Sequence, residues 1–256
     1  MTAENPRQDL LMNLFRKCLI PVLATAVNFA PAVLSGSAQA ENLGPTLTVP
    51  ATPSSVTGAD GFIHRWIILD PIGVNGLTQD AVQAMVKKDY FPDQFTVIPK
   101  DHDKVTVNGK ELTWHAVDTS KYNVNLYHLA YALHEPTSNV LFWAVTIVNA
   151  PEEMHDVRLA IGSNAASVWW VNGEEVIGIY GDRQTVIDDG VSKRITLKKG
   201  PNVIRTAVVN GGGATDFCAR FLDEHDKPIK GLTVTLSEHP SSGMATHRAV
   251  AKKAGE

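Results

Sequence analysis

The chain has 256 residues, 44% of them hydrophobic, with 23 basic and 27 acidic side chains and a formal net charge of −4. No acidic or basic block stands out, which argues against nucleic acid or an anionic membrane surface as a partner. Without residues 1–40 and the polar tail, roughly 200 residues are left, enough for one large domain with its own core.

Arg16 and Lys17 precede an apolar run from Cys18 to about Val33, and Ala38-Gln39-Ala40 forms a small-residue cleavage site. This is the layout of a secretory signal peptide. Pro21, Asn28 and Pro31 interrupt the run, which is too short and broken to span a bilayer. The expectation is a secreted or periplasmic protein that loses residues 1–40, begins at Glu41 and is not inserted in the membrane after cleavage. Cleavage removes Cys18 and leaves Cys218 alone, so no internal disulfide forms. Within Phe217-Cys218-Ala219-Arg220-Phe221, Cys218 reads as a core thiol.

Residues 41–60, rich in Pro, Thr, Ser and Gly, read as a flexible leader, and residues 238–256 as a disordered tail. The domain between them, 61–237, opens with the β-rich run Phe62 to Pro71. Thr78 can cap a short helix to about Lys88, with Ala81, Val82, Met85 and Val86 on one face. Lys104 to Leu112 contains Asn108-Gly109, and Val168 to Ile177 contains Asn172-Gly173. Both read as two-residue hairpins, because Asn and Gly tolerate the φ > 0 such turns require. Short strands are expected at Leu126–Leu133, Val140–Val148, Val157–Ile161, Val168–Val171 and Glu175–Ile179. Further strands follow at Ile195–Leu197, Val203–Val209, Asp216–Leu222 and Leu232–Leu236. The fold expected is all-β, an antiparallel β-sandwich of jelly-roll type with one short N-terminal helix.

Alternation around Asn172-Gly173 pairs Val171 with Glu174, Trp170 with Glu175 and Trp169 with Val176. Trp169, Val171 and Val176 then face the core, while Val168, Trp170, Glu175 and Ile177 share the other face. Trp170 is expected to be available there, where the C–H side of a pyranose can stack on its ring. Trp66 and Trp143 lie in apolar strands and are assigned to the core. The loop Ile179 to Gln184 adds Tyr180, Asp182 and Arg183, groups that can grip sugar hydroxyls. The candidate ligand site is Trp170, Tyr180, Asp182 and Arg183, with Trp114 as an outlying aromatic. Asp182, Asp188 and Asp189 could also supply oxygens to a structural Ca²⁺.

No nucleophile elbow, zincin helix, Walker loop or dinucleotide fingerprint occurs. The nine histidines lack a paired spacing for metal, and Glu152-Glu153, Glu174-Glu175 and Asp188-Asp189 read as solvated turns. No catalytic residue, metal ligand or organic cofactor is therefore assigned.

The region from about Phe62 to Leu236 resembles the galactose-binding-domain-like jelly rolls of exported bacterial proteins. The likeness rests on Phe62 to Pro71, Gly109 to Trp114, Leu159 to Asn164, the Trp170 to Val176 hairpin, Leu197 to Asn202 and Ala219 to Asp223. It departs from that pattern at Asn164-Ala165, where an acidic pair is often expected, and at Ala214-Thr215, where an aromatic often follows the Gly-rich turn. The resemblance implies a non-catalytic module that recognises a polysaccharide or glycan. Two alternatives remain: a structural domain that docks another exported protein, and a polysaccharide-active enzyme with an unrecognised site.

Overall fold

The computed structural model describes residues 41–75 and 78–238, so the signal-peptide expectation and nearly all of the tail lie outside the described residues. In chain order the first strands are β1 (Leu47–Thr48), β2 (Ser54–Val56), β3 (Arg65–Leu69) and β4 (Ile72–Gly73). Helix α1 (Gln79–Lys87), β5 (Lys104–Val107), β6 (Lys110–Thr119), β7 (Val124–Asn125) and helix α2 (Leu126–Ala132) follow. The long central strands are β8 (Val140–Ala150), β9 (Met154–Asn164), β10 (Ala166–Val171) and β11 (Glu174–Ile179). The series closes with β12 (Gly190–Val191), β13 (Ile195–Leu197), β14 (Gly200–Asn210), β15 (Asp216–Leu222) and β16 (Thr233–Thr235).

These strands form an all-β sandwich. The 11-stranded sheet runs β1-β6-β3-β8-β14-β10-β11, with β4 and β16 also on β8, β2 on β16 and β5 on β6. The 5-stranded sheet runs β12-β9-β15-β7, with β13 on β9. Every strand pair is antiparallel; the longest ladder joins β8 to β14 from Val140↔Asn210 to Ala150↔Gly200.

Two cores lie on opposite faces of the larger sheet. Between the sheets, Trp66, Trp169 and Phe217 meet edge-on with centroids 5.0–6.0 Å apart. On the far face, Leu69, Trp114, Trp143 and Trp170 pack with Val82, Met85 and Val86 of α1 and with Phe91. Burial on both faces explains why β3 is buried throughout and why Trp66–Leu69 is apolar without alternation, Arg65 at its start being paired with Asp118. It also places Trp66 and Trp143, both 0% exposed, in the core as expected.

Both Asn-Gly turns form as expected, with Asn108 and Gly109 at φ 50° and 80° and Asn172 and Gly173 at 52° and 84°. The Thr78 hydroxyl caps α1 by accepting from the Ala81 N–H at 3.3 Å. Two expectations need correction. Leu126–Leu133, expected as a strand, is mostly α2: Leu126, Leu129, Ala130 and Leu133 follow the i, i+3, i+4, i+7 spacing of one helix face. Asn125 caps this second helix, its carboxamide oxygen accepting from the His128 N–H at 2.8 Å. The leader is packed instead of loose. Leu43 and Leu47 are 1% and 4% exposed in the inter-sheet core, β1 pairs with β6, and β2 pairs with β16.

Candidate functional site

The expected site divides into a buried part and an exposed part. Trp170 lies on the face of β10 opposite Trp169, as alternation requires, but that face is covered and Trp170 is only 7% exposed. Its ring stacks on Trp143 at 5.6 Å and 26°, and Phe95, from the segment after α1, meets it edge-on at 5.7 Å. Trp114 is 0% exposed under the edge of Phe91. Neither tryptophan offers a ring face to a sugar, and both are corrected to core residues. The covering layer was the missing information, because its aromatics lie some 75 residues before Trp170.

Arg205 ties this cover to the sheet. It is 3% exposed, directly beside Trp170 in the β10–β14 register, and its Nη2 donates to the Val97 carbonyl at 2.6 Å. Burial pulls its guanidinium down to about 10.

The Tyr180 loop remains accessible, but several of its groups are already engaged. Tyr180 is half-buried against the second core; burial and then the Glu175 carboxylate push its phenol up, while a hydrogen bond with Gln83 of α1 opposes the shift. Arg183 pairs with Asp189 at 2.9 Å, and Asp188 is held by both Nε and Nη2 of Arg220. Asp182 is exposed. Asp188 and Asp189 thus face arginines, and among the described residues no three His, Cys, Asp or Glu side chains gather into a metal-binding group.

A cleft of about 900 Å³ lies at the other end of β11, between the Asn172-Gly173 hairpin and β13. Val171 and Val176, with the half-buried Ile195, supply its apolar lining. Glu174 from the hairpin and Lys193 from the chain entering β13 form an ion pair. Arg194 donates to the Asp156 carbonyl at 2.6 Å and approaches the Asp226 carboxylate at 3.4 Å. Lys198 brings a further exposed ammonium group to the lining.

Local sequence holds this cleft in shape. Asn202 is 0% exposed; its amide donates to the carbonyls of Lys198 and Gly200, and its oxygen accepts from the Lys198 N–H and the Asn172 side chain. Asn172 in turn accepts from the Val203 N–H at 3.0 Å. The two turns that frame the cleft are therefore joined through one buried carboxamide, whose removal would leave several backbone groups unpaired. Chemically, the cleft sets ammonium and guanidinium donors and a carboxylate acceptor over an apolar base. Sequence reading did not find it. Its charged side chains come from three separated segments, and the Asn-Gly turn signalled the hairpin without indicating what would face it.

No protein-family model matches the chain, and no curated protein matches it. Among solved structures, it is similar to a PA14 sugar-binding domain from an RTX adhesin, with 10% identity over 66% of this chain and 96% of that one and a TM-score of 0.41. It is also similar to the PA14 domain of the MpAFP antifreeze protein, with 12% identity, 73% and 95% coverage and a TM-score of 0.40. An anti-sigma factor domain-containing protein matches at 9% identity and a TM-score of 0.37, over 46% of this chain and only 41% of its own length. At these values the likeness carries no argument about ligand or activity.

Proposed function

We propose that the chain is an exported, non-catalytic binding module whose ligand is a carbohydrate, held in the cleft between the β10–β11 hairpin and β13. The observation that carries this reading is the combination of Lys193, Arg194, Lys198 and Glu174 over Val171 and Val176. Charged donors and acceptors suit hydroxyl groups, and an apolar base suits the C–H faces between them. The signal-peptide layout supports export, and the resemblance to galactose-binding-like jelly rolls supports the ligand class. Without an exposed tryptophan platform, binding rests mainly on polar contacts and falls in the range of roughly 10 μM to 1 mM.

The test is retention of the protein on columns of neutral and acidic polysaccharides, with and without Ca²⁺, for wild type and the double variant Lys193→Ala, Lys198→Ala. Both lysines are exposed, so the variant should fold normally. Retention lost in the variant supports the cleft; equal retention of both proteins contradicts it. A second reading, docking to another exported protein, is favoured by the exposed apolar side chains Val186, Ile187 and Val191, at 56%, 44% and 36%. Failure of wild type to bind any glycan in a broad panel would shift the assignment to that reading.

A further inference from the structure

Alternation along β6 puts His115 on the same side of the strand as Val117, away from Trp114. Both of its ring nitrogens face carboxylates. Nδ1 lies 3.0 Å from Oε1 of Glu41 in the leader, and Nε2 lies 3.0 Å from Oδ1 of Asp70 just after β3. The His115 side chain is 8% exposed, that of Asp70 11% and that of Glu41 30%.

A neutral imidazole has one N–H and one lone pair, so it can donate to only one of these carboxylates and must set its lone pair against the other. The imidazolium donates to both. Burial works against that charge, but the hydrogen bonds and negative charges of Asp70 and Glu41 outweigh it and hold the imidazole above its ordinary value.

The two carboxylates are not equally fixed. Asp70 also accepts from the Thr113 N–H through Oδ2 at 2.8 Å, and its own N–H donates to the Thr113 carbonyl at 2.9 Å. Glu41 reaches the ring from a leader held by Leu43, Leu47 and the two-residue pairing of β1 with β6.

The other titratable and charged groups nearby have their own engagements. Asp101 accepts from the Ala116 N–H and lies 3.5 Å from His102; Asp103 accepts from the Lys100 N–H. Arg65 binds Asp118 at 2.7 Å, and His64 is shifted down mainly by burial, with Asp118 opposing. His128 of α2 sits against the leader at Gly44.

We propose that Glu41, His115 and Asp70 form a pH-operated clasp that holds the leader against the sandwich while His115 is protonated and releases Glu41 when it is not. Because the folded ring titrates above 6.5, the clasp contributes fully below that pH and is lost as pH rises through the ring's own pKa. The neutral ring keeps its hydrogen bond to the better-fixed Asp70, and the ionised Glu41 moves into water.

The test uses the full chain. His115 is titrated by NMR while amide protection factors, which remove the intrinsic pH dependence of exchange, are followed for Leu43, Gly44, Thr46, Leu47 and Thr48. The expected result is a ring pKa above its ordinary value and a severalfold fall in leader protection over the same pH range. Ile67 and Val117, inside the sheet, should keep their protection. Glu41→Gln preserves an acceptor and removes the charge, so it should lower the His115 pKa and move the leader's transition down with it. An unmoved His115 pKa in that variant, or leader protection that ignores the His115 titration, would overturn the proposal.

Discussion

Trp170→Ala separates a core tryptophan from a sugar platform. Trp170 is 7% exposed and contacts Trp143 and Phe95 at centroid distances of 5.6 and 5.7 Å. Burying a tryptophan removes about 150–250 Å² from water, which at about 25 cal/mol per Å² corresponds to about 4–6 kcal/mol of transfer free energy. Partial collapse of the cavity and compactness of the unfolded chain reduce the net effect, so the expected loss is about 3–5 kcal/mol. In a domain of this size that lowers Tm by about 6–20 °C. Glu175, directly opposite Trp170 in the hairpin register and exposed, provides the control, and Glu175→Ala should change stability by no more than about 0.5 kcal/mol. Urea unfolding followed by far-UV circular dichroism avoids confusing lost tryptophan emission with unfolding. A loss below about 1 kcal/mol in Trp170→Ala would refute the buried arrangement and restore Trp170 as an available ring.

Three further outcomes follow from local geometry. Gly173 sits at φ 84° in the hairpin turn, so Gly173→Val should cost about 1–2 kcal/mol in urea unfolding. Asn125→Ala removes the cap of α2 and should cost about 1 kcal/mol, whereas a strand at this position would show no such cap dependence. Burial pushes the Cys218 thiol up to about 12, so a thiol reagent at pH 8 should leave it unmodified in the folded chain and react fully in guanidinium.

The turns were the most legible features because an Asn-Gly pair carries its backbone requirement in its side chains: both pairs adopt φ > 0 where expected. The split of Trp169 and Trp170 onto opposite faces was equally legible, since strand alternation is local. Ile177 shows where that logic stops. Expected beside Trp170, it packs against the inter-sheet core instead, because a bulge between Trp169 and Trp170 sets it opposite Trp169. Leu126–Leu133 departs from its expected strand because a short apolar run suits either element until its spacing is counted. The leader's composition suggested mobility, yet two leucines and short edge pairings are enough to seat it. The cover over Trp170 and the cleft beside β13 depend on contacts between distant segments, for which one sequence carries no local signal.

The most direct measurement is a titration of the isotope-labelled protein with the oligosaccharide that retains it best, followed by backbone amide shifts. The account predicts that the largest shifts fall on Asn172–Val176 and Lys193–Lys198, at the two walls of the cleft. Shifts centred on Tyr180–Arg183 or on Val186–Val191, with these walls unchanged, would contradict it.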